Sequence, residues 1–219
     1  MKIPFLYSLM KHRQSAGIIL LFLAGFFLIA ISGCTSLPFT DTQNTTVALQ
    51  DYNAWAIRQK NFDQQVRATT LRIGNHINDY NAAIVSDAPD LPGLRSSLAA
   101  DRQLLDQWED RISALNTAAA RLESNSTRLT YSPAARELVS NLSQNMKVYA
   151  IDMENARQHL IDYTNFAGTY LGPDDPAYWN DGYRTSATNA REQAAQSLAD
   201  ADTALSVIND LAGRLQRMQ

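Results

Sequence analysis

Cysteine is almost missing from this chain of 219 residues: Cys34 is the only one, so no disulfide can form within a single chain. Histidine is nearly as scarce. Beyond Cys34 only His76 and His159 remain, too few for a multi-histidine metal site in one chain. A surplus of positive charge is lacking too. From Cys34 onward, 16 basic side chains face 22 acidic ones, a net charge of −6. Such a body does not neutralise phosphates, which argues against nucleic acid as a partner. Nor does it lie flat on anionic lipid.

The signatures of catalysis are absent as well. There is no G-x-S-x-G, no H-E-x-x-H, no C-x-x-C-H and no phosphate-cradling glycine loop. The E-x-x-H pairs of di-iron bundles do not occur. Nothing pairs a nucleophile with a base, so the expectation is a protein that is not an enzyme and carries no cofactor.

What is present begins at the N-terminus. Lys2, Lys11, His12 and Arg13 form a basic start, and the stretch from Gly17 to Ile31 is uncharged and apolar. A basic segment followed by an apolar one is the plan of a secretory signal. The basic residues directly after Met10 make it a more typical start than Met1. The apolar run ends in Ile31-Ser32-Gly33-Cys34, where two small residues let a signal peptidase grip the chain before the cysteine.

This tetrapeptide resembles the lipobox of prokaryotic lipoproteins: an aliphatic residue, two small ones, then the cysteine. The resemblance covers the targeting segment alone. It implies a signal peptide over residues 1–33, cleavage before Cys34, and a lipid anchor of the palmitate type on Cys34, with the membrane as partner through that lipid. Each buried methylene contributes ~0.8 kcal/mol, and two acyl chains hold firmly where one is marginal. The implied location is the cell envelope, extracytoplasmic, at the outer face of the cell membrane or at an outer membrane. Thr35 after the cysteine fits, by the rule for Gram-negative lipoproteins, transfer to the latter. The competing reading is an uncleaved helix across a bilayer of ~30 Å. Both leave the body on the same side, because the positive charges precede the apolar run.

Residues 34–46 are rich in Thr and Ser and show no helical period, which predicts a flexible tether. The stretch from Thr35 to Thr46 reaches at most ~40 Å. Residues 47–219 then read as one helical domain of four segments. The first, to about Asp87, carries Trp55, Phe62, Val66, Thr69, Ile73, Ile77, Tyr80 and Ile84 on one stripe. The second, from Leu94 to about Leu129, places Leu94, Leu98, Asp101, Leu105, Trp108, Ile112, Leu115, Ala119, Leu122, Ser126 and Leu129 in strict 4-3 alternation, one continuously buried face. Asp101 is the polar exception, expected to meet an arginine or water. Ser132 and Pro133 start the third segment, as cap and first helical residue. It runs to about Leu171 with Leu138, Leu142, Met146, Tyr149 and Met153 facing inward. Gly172 to Pro176 break it, with Asp175 the expected cap of the last segment, whose first half is lined by alanines.

Short connections between long amphipathic helices imply antiparallel neighbours. The fold class is therefore all-α, an elongated up-down-up-down four-helix bundle with coiled-coil-like packing. The runner-up is hairpins that complete their core as a homo-oligomer.

Two clusters are candidate sites. His76, Asp79 and Tyr80 recur as His159, Asp162 and Tyr163, a pattern 83 residues apart, hinting at a duplicated hairpin. On parallel helices one and three the clusters lie level, and each His neighbours its own Asp and Tyr. The functional reading is a polar layer that holds a cation or small ligand. The structural one is that each His packs at the stripe's edge and bonds its own Asp. The second cluster is the distal tip, where Asp90, Asp174 and Asp175 stand beside Tyr178 and Trp179. Aromatic rings among charges suit recognition of a protein partner; alternatively the carboxylates cap helices and the rings seal the bundle. The function expected from all this is a lipid-anchored envelope protein whose bundle is a non-catalytic binding or scaffolding module. A ligand-sensing or solute-binding bundle is the alternative.

Overall fold

The computed structural model describes residues 39–86, 90–129, 131–174 and 178–219. The tetrapeptide that resembles a lipobox, with Cys34, the apolar run before it and the start of the predicted tether lie outside these residues, as do Asp87 and Asp175. Four helices make up the described chain: α1 (Phe39–Ile84), α2 (Leu91–Arg128), α3 (Pro133–Tyr170) and α4 (Asp181–Gln216). The shorter three span about 55 Å each at 1.5 Å per residue. Among the described residues no helix is long and apolar enough to cross a membrane.

Cross-helix contacts fix the topology. Between α1 and α2, Asp51 meets Asn125 and His76 meets Asp101, so numbers fall on one helix as they rise on the other. The same reversal joins α2 to α3 through Arg102–Asn165 and Glu123–Lys147. Helices α1 and α3 instead pair in parallel, Gln59 with Tyr149 and Tyr80 with Tyr163. This is the up-down-up-down four-helix bundle that the sequence pattern implies.

The stripes define the core. Every member of the 4-3 alternation from Leu94 to Ser126 is buried, Asp101 included, and Leu129 packs at its edge. On α1 the stripe from Trp55 to Tyr80 is buried and extends back through Ala48 to Thr45. Helix α3 buries two flanks, one with Leu142, Met146 and Met153, the other with Val139, Ala150 and Ala167, because it lies between α2 and α4. Small residues let α4 come in tightly: Ala187, Ala190, Ala194 and Ala201 are all buried, and α3 and α4 make the most extensive helix pair. By contrast α1 leans chiefly on α2 and approaches α3 and α4 only sparsely.

Three boundaries differ from the sequence expectation, the smallest at α2, which starts at Leu91 rather than Leu94. Helix α1 starts at Phe39, inside the segment predicted as tether, rather than near Val47. Tertiary contacts explain the gain: Thr45 is buried, Tyr131 Oη donates to the Asn44 carbonyl, and Gln219 Nε2 donates to Thr46 Oγ1. Packing here overrides weak helical propensity. Helix α4 starts later, at Asp181, and its cap is Asn180, which accepts from the Gly182 N–H at 2.8 Å. Trp179 just before the cap is tied to the bundle end: its indole donates to the Pro173 carbonyl at 3.0 Å and its ring packs on Tyr170 of α3. Asp90 and Ser132 cap α2 and α3 by accepting from Gly93 and Ala135.

Candidate functional site

Asp101 occupies a core position of α2 and is fully buried. A lone carboxylate there would be costly, so α1 supplies two partners one turn apart. His76 Nδ1 lies 2.5 Å from Oδ2. Arg72 Nε lies 3.0 Å from Oδ1 but off the line of its N–H, so that contact is ionic and Oδ1 receives no hydrogen bond among the described residues. The expected arginine is therefore present, and a histidine joins it.

This changes the predicted His/Asp/Tyr layer. His76 turns across to Asp101 rather than bonding its own Asp79, which is exposed. On α3, His159 and Asp162 are half-buried, and Asp162 accepts from Gln158 at 3.2 Å. The tyrosines of the two clusters do come together. Tyr80 and Tyr163 meet edge to face with ring centroids 6.4 Å apart. Tyr80 also meets Tyr170 at 5.9 Å, and Tyr170 meets Trp179 at 5.1 Å, so an aromatic row runs to the bundle end.

Both phenol oxygens, of Tyr80 and of Tyr163, are buried without a hydrogen-bond partner among the described residues. Burial pushes Tyr80 up to about 12; Tyr170 and Asp181 add to the rise and Arg184 opposes it. Tyr163 is pushed up further, again by burial first, then by Tyr80 and Asp101, with Arg191 opposing. Such groups stay neutral donors over the whole physiological range. No three His, Cys, Asp or Glu among the described residues stand close enough to hold a metal ion.

The tip residues divide. Asp90 serves α2 as its cap. Asp174 accepts from Arg95 Nη2 at 2.9 Å, while the same guanidinium holds the Leu171 carbonyl at the end of α3. Trp179 packs on Tyr170, and Tyr178 projects into solvent, 74% exposed. Asp175 lies outside the described residues.

Sequence reasoning singled out Asp101 and Tyr80 but missed Arg72 and Arg184. Both are exposed arginines on polar faces, and only the register between helices puts them beside buried groups. The chain matches no protein-family model and shows no significant similarity to a curated protein or to a solved structure.

Proposed function

We propose that this is a lipid-anchored protein of the cell envelope, held on the extracytoplasmic side through Cys34, whose helical bundle is a non-catalytic binding or scaffolding module. The observation that carries the proposal is the fall of Ile31-Ser32-Gly33-Cys34 at the end of the apolar run, with the chain's only cysteine in the last place. The bundle's net negative charge favours a body standing off anionic lipid. Its partner is a second envelope protein, met through the tip with Tyr178 and Trp179, or another copy of this chain. The test is the intact mass of protein extracted from membranes. The expected mass is that of a chain starting at Cys34 and carrying acyl groups. A chain that retains residues 1–33 without acylation overturns the anchor and favours the spanning helix.

A second reading, a solute-binding bundle, draws on a specific feature: the phenol oxygens of Tyr80 and Tyr163, buried without a hydrogen-bond partner among the described residues, on the two helices that carry His76 and His159. Ligand that binds only the folded state raises the melting temperature. A thermal scan against small metabolites and divalent metals tests it, with the His76→Ala, His159→Ala double variant reporting on the histidines. A flat scan removes this reading and leaves the scaffold.

A further inference from the structure

Helix α1 carries a second stripe, on the side away from the core. Ten positions in alternating steps of three and four run from Ala54 to Val85, in the turn that closes the helix, and all ten are exposed. None is charged, although Arg58, Lys60, Arg67, Arg72 and Asp79 flank them. Six are apolar: Ala54, Ile57, Ala68, Leu71, Ala82 and Val85, with Ile57 64% and Val85 83% exposed. The other four, Asn61, Gln64, Asn75 and Asn78, are carboxamides. A sustained 4-3 repeat is the spacing of a helix-packing seam, in which a few amides fix the register. The bundle meets α1 through its buried stripe and leaves this one uncovered among the described residues.

The order of the side chains selects the occupant. From either end the stripe reads apolar, apolar, amide, amide, apolar. A two-fold axis between Ala68 and Leu71 then sets Asn61 against the partner's Asn78 and Gln64 against the partner's Asn75. It also sets Ala54 against the partner's Val85, Ile57 against the partner's Ala82, and Ala68 against the partner's Leu71. Every layer matches like with like, and each apolar layer places an alanine against a larger side chain. An isologous interface needs this self-complementarity, since each residue meets its counterpart twice. A carboxamide both donates and accepts, so it pairs with its own kind, which a carboxylate or an ammonium cannot do. The flanking charges choose the direction. Antiparallel pairing brings Arg58 beside the partner's Asp79, whereas parallel pairing brings Arg67 beside the partner's Arg72. We propose that α1 docks antiparallel along α1 of a second copy of this chain, over ~45 Å. This deepens the scaffolding reading by naming its partner, and it is independent of the lipid on Cys34.

Cysteine cross-linking of the full chain in its membranes tests the pair and its register together. Positions 61 and 78 of one helix are ~25 Å apart, too far for a disulfide within the chain. The Asn61→Cys, Asn78→Cys double variant is expected to give a covalent dimer on mild oxidation, while either single variant gives no more than the parent. Sedimentation of the extracted protein is expected to show a dimer. Leu71→Glu, at an exposed position, keeps the helical circular dichroism and weakens the dimer at least tenfold. Ala68→Lys added to Leu71→Glu restores it, because each lysine then faces a glutamate. Cross-linking by the single variants overturns the antiparallel register. A dimer that Leu71→Glu leaves intact but Ile151→Glu dissolves moves the interface to α3, where Val148 and Ile151 are also exposed, and overturns the α1 face. A monomeric parent with no cross-link in the double variant overturns the pair and leaves the scaffolding reading with a different protein as partner.

Discussion

His76 and Asp101, on neighbouring helices and 25 residues apart in sequence, share a hydrogen bond of 2.5 Å between Nδ1 and Oδ2. Its two ends are unequal. Asp101 is fully buried, whereas His76 and Arg72 keep 16% and 44% of their side chains exposed. Removing the histidine takes a hydrogen bond from a core carboxylate and leaves it only the ionic contact with Arg72 among the described residues. Removing the carboxylate leaves two groups that can turn to water. His76→Ala is therefore expected to cost about 2 kcal/mol, in the range for a lost hydrogen bond to a charged group. Asp101→Leu restores the apolar repeat of α2 and is expected to be within about 1 kcal/mol of the parent or more stable. Urea unfolding of both variants decides it. Equal destabilisation by the two would contradict this account of the pair.

The raised tyrosines make stability depend on alkaline pH, with a definite sign. An unfolded tyrosine releases its proton near pH 10, while Tyr80 holds its own up to about 12 and Tyr163 holds its own longer. Above pH 10 the unfolded chain thus binds fewer protons, and stability falls as pH rises. Each such tyrosine contributes a slope of about 1.4 kcal/mol per pH unit between its two pKa values. Below pH 10 neither contributes any slope. Tyr163→Phe is expected to flatten the alkaline loss by one tyrosine's share and to leave stability at neutral pH unchanged or higher. Phenolate absorbance recorded alongside circular dichroism, as a function of pH, measures both.

Gly93 and Asp90 predict a reversal of sign. The Asp90 carboxylate that accepts from the Gly93 N–H occupies the space a Cβ at residue 93 would need. Gly93→Ala in the parent gains about 0.5–1 kcal/mol of helical preference but displaces a cap contributing about 1 kcal/mol, so the net change is small. In an Asp90→Ala background the cap is already gone, and the same substitution is expected to stabilise by the full helical gain. A double-mutant cycle by thermal unfolding reads this directly.

The bundle itself was legible because burial repeats along each helix, and a repeat is a property of one segment. Leu94 through Ser126 needed nothing but spacing. Partnerships between helices were not legible. The same-helix spacing of His76 to Asp79 suggested a pair, but the axial register of α1 against α2 set Asp101 beside His76 instead. The repeat's tyrosines did meet, since parallel helices keep equal heights whatever their side chains choose. The start of α4 was misplaced for a related reason. Proline and aspartate near residue 175 are strong local punctuation, yet the helix is capped by Asn180, next to Trp179, whose indole bonds the Pro173 carbonyl and whose ring packs on Tyr170.

The sparse hold on α1 has a mechanical consequence. Helix α3 is gripped along both sides and α4 is laced closely to it, whereas α1 is backed chiefly by a single neighbour. Tension applied at the Phe39 end enters the molecule at its least-fastened rod. That rod peels away first, and the α3–α4 pair stays closed longest.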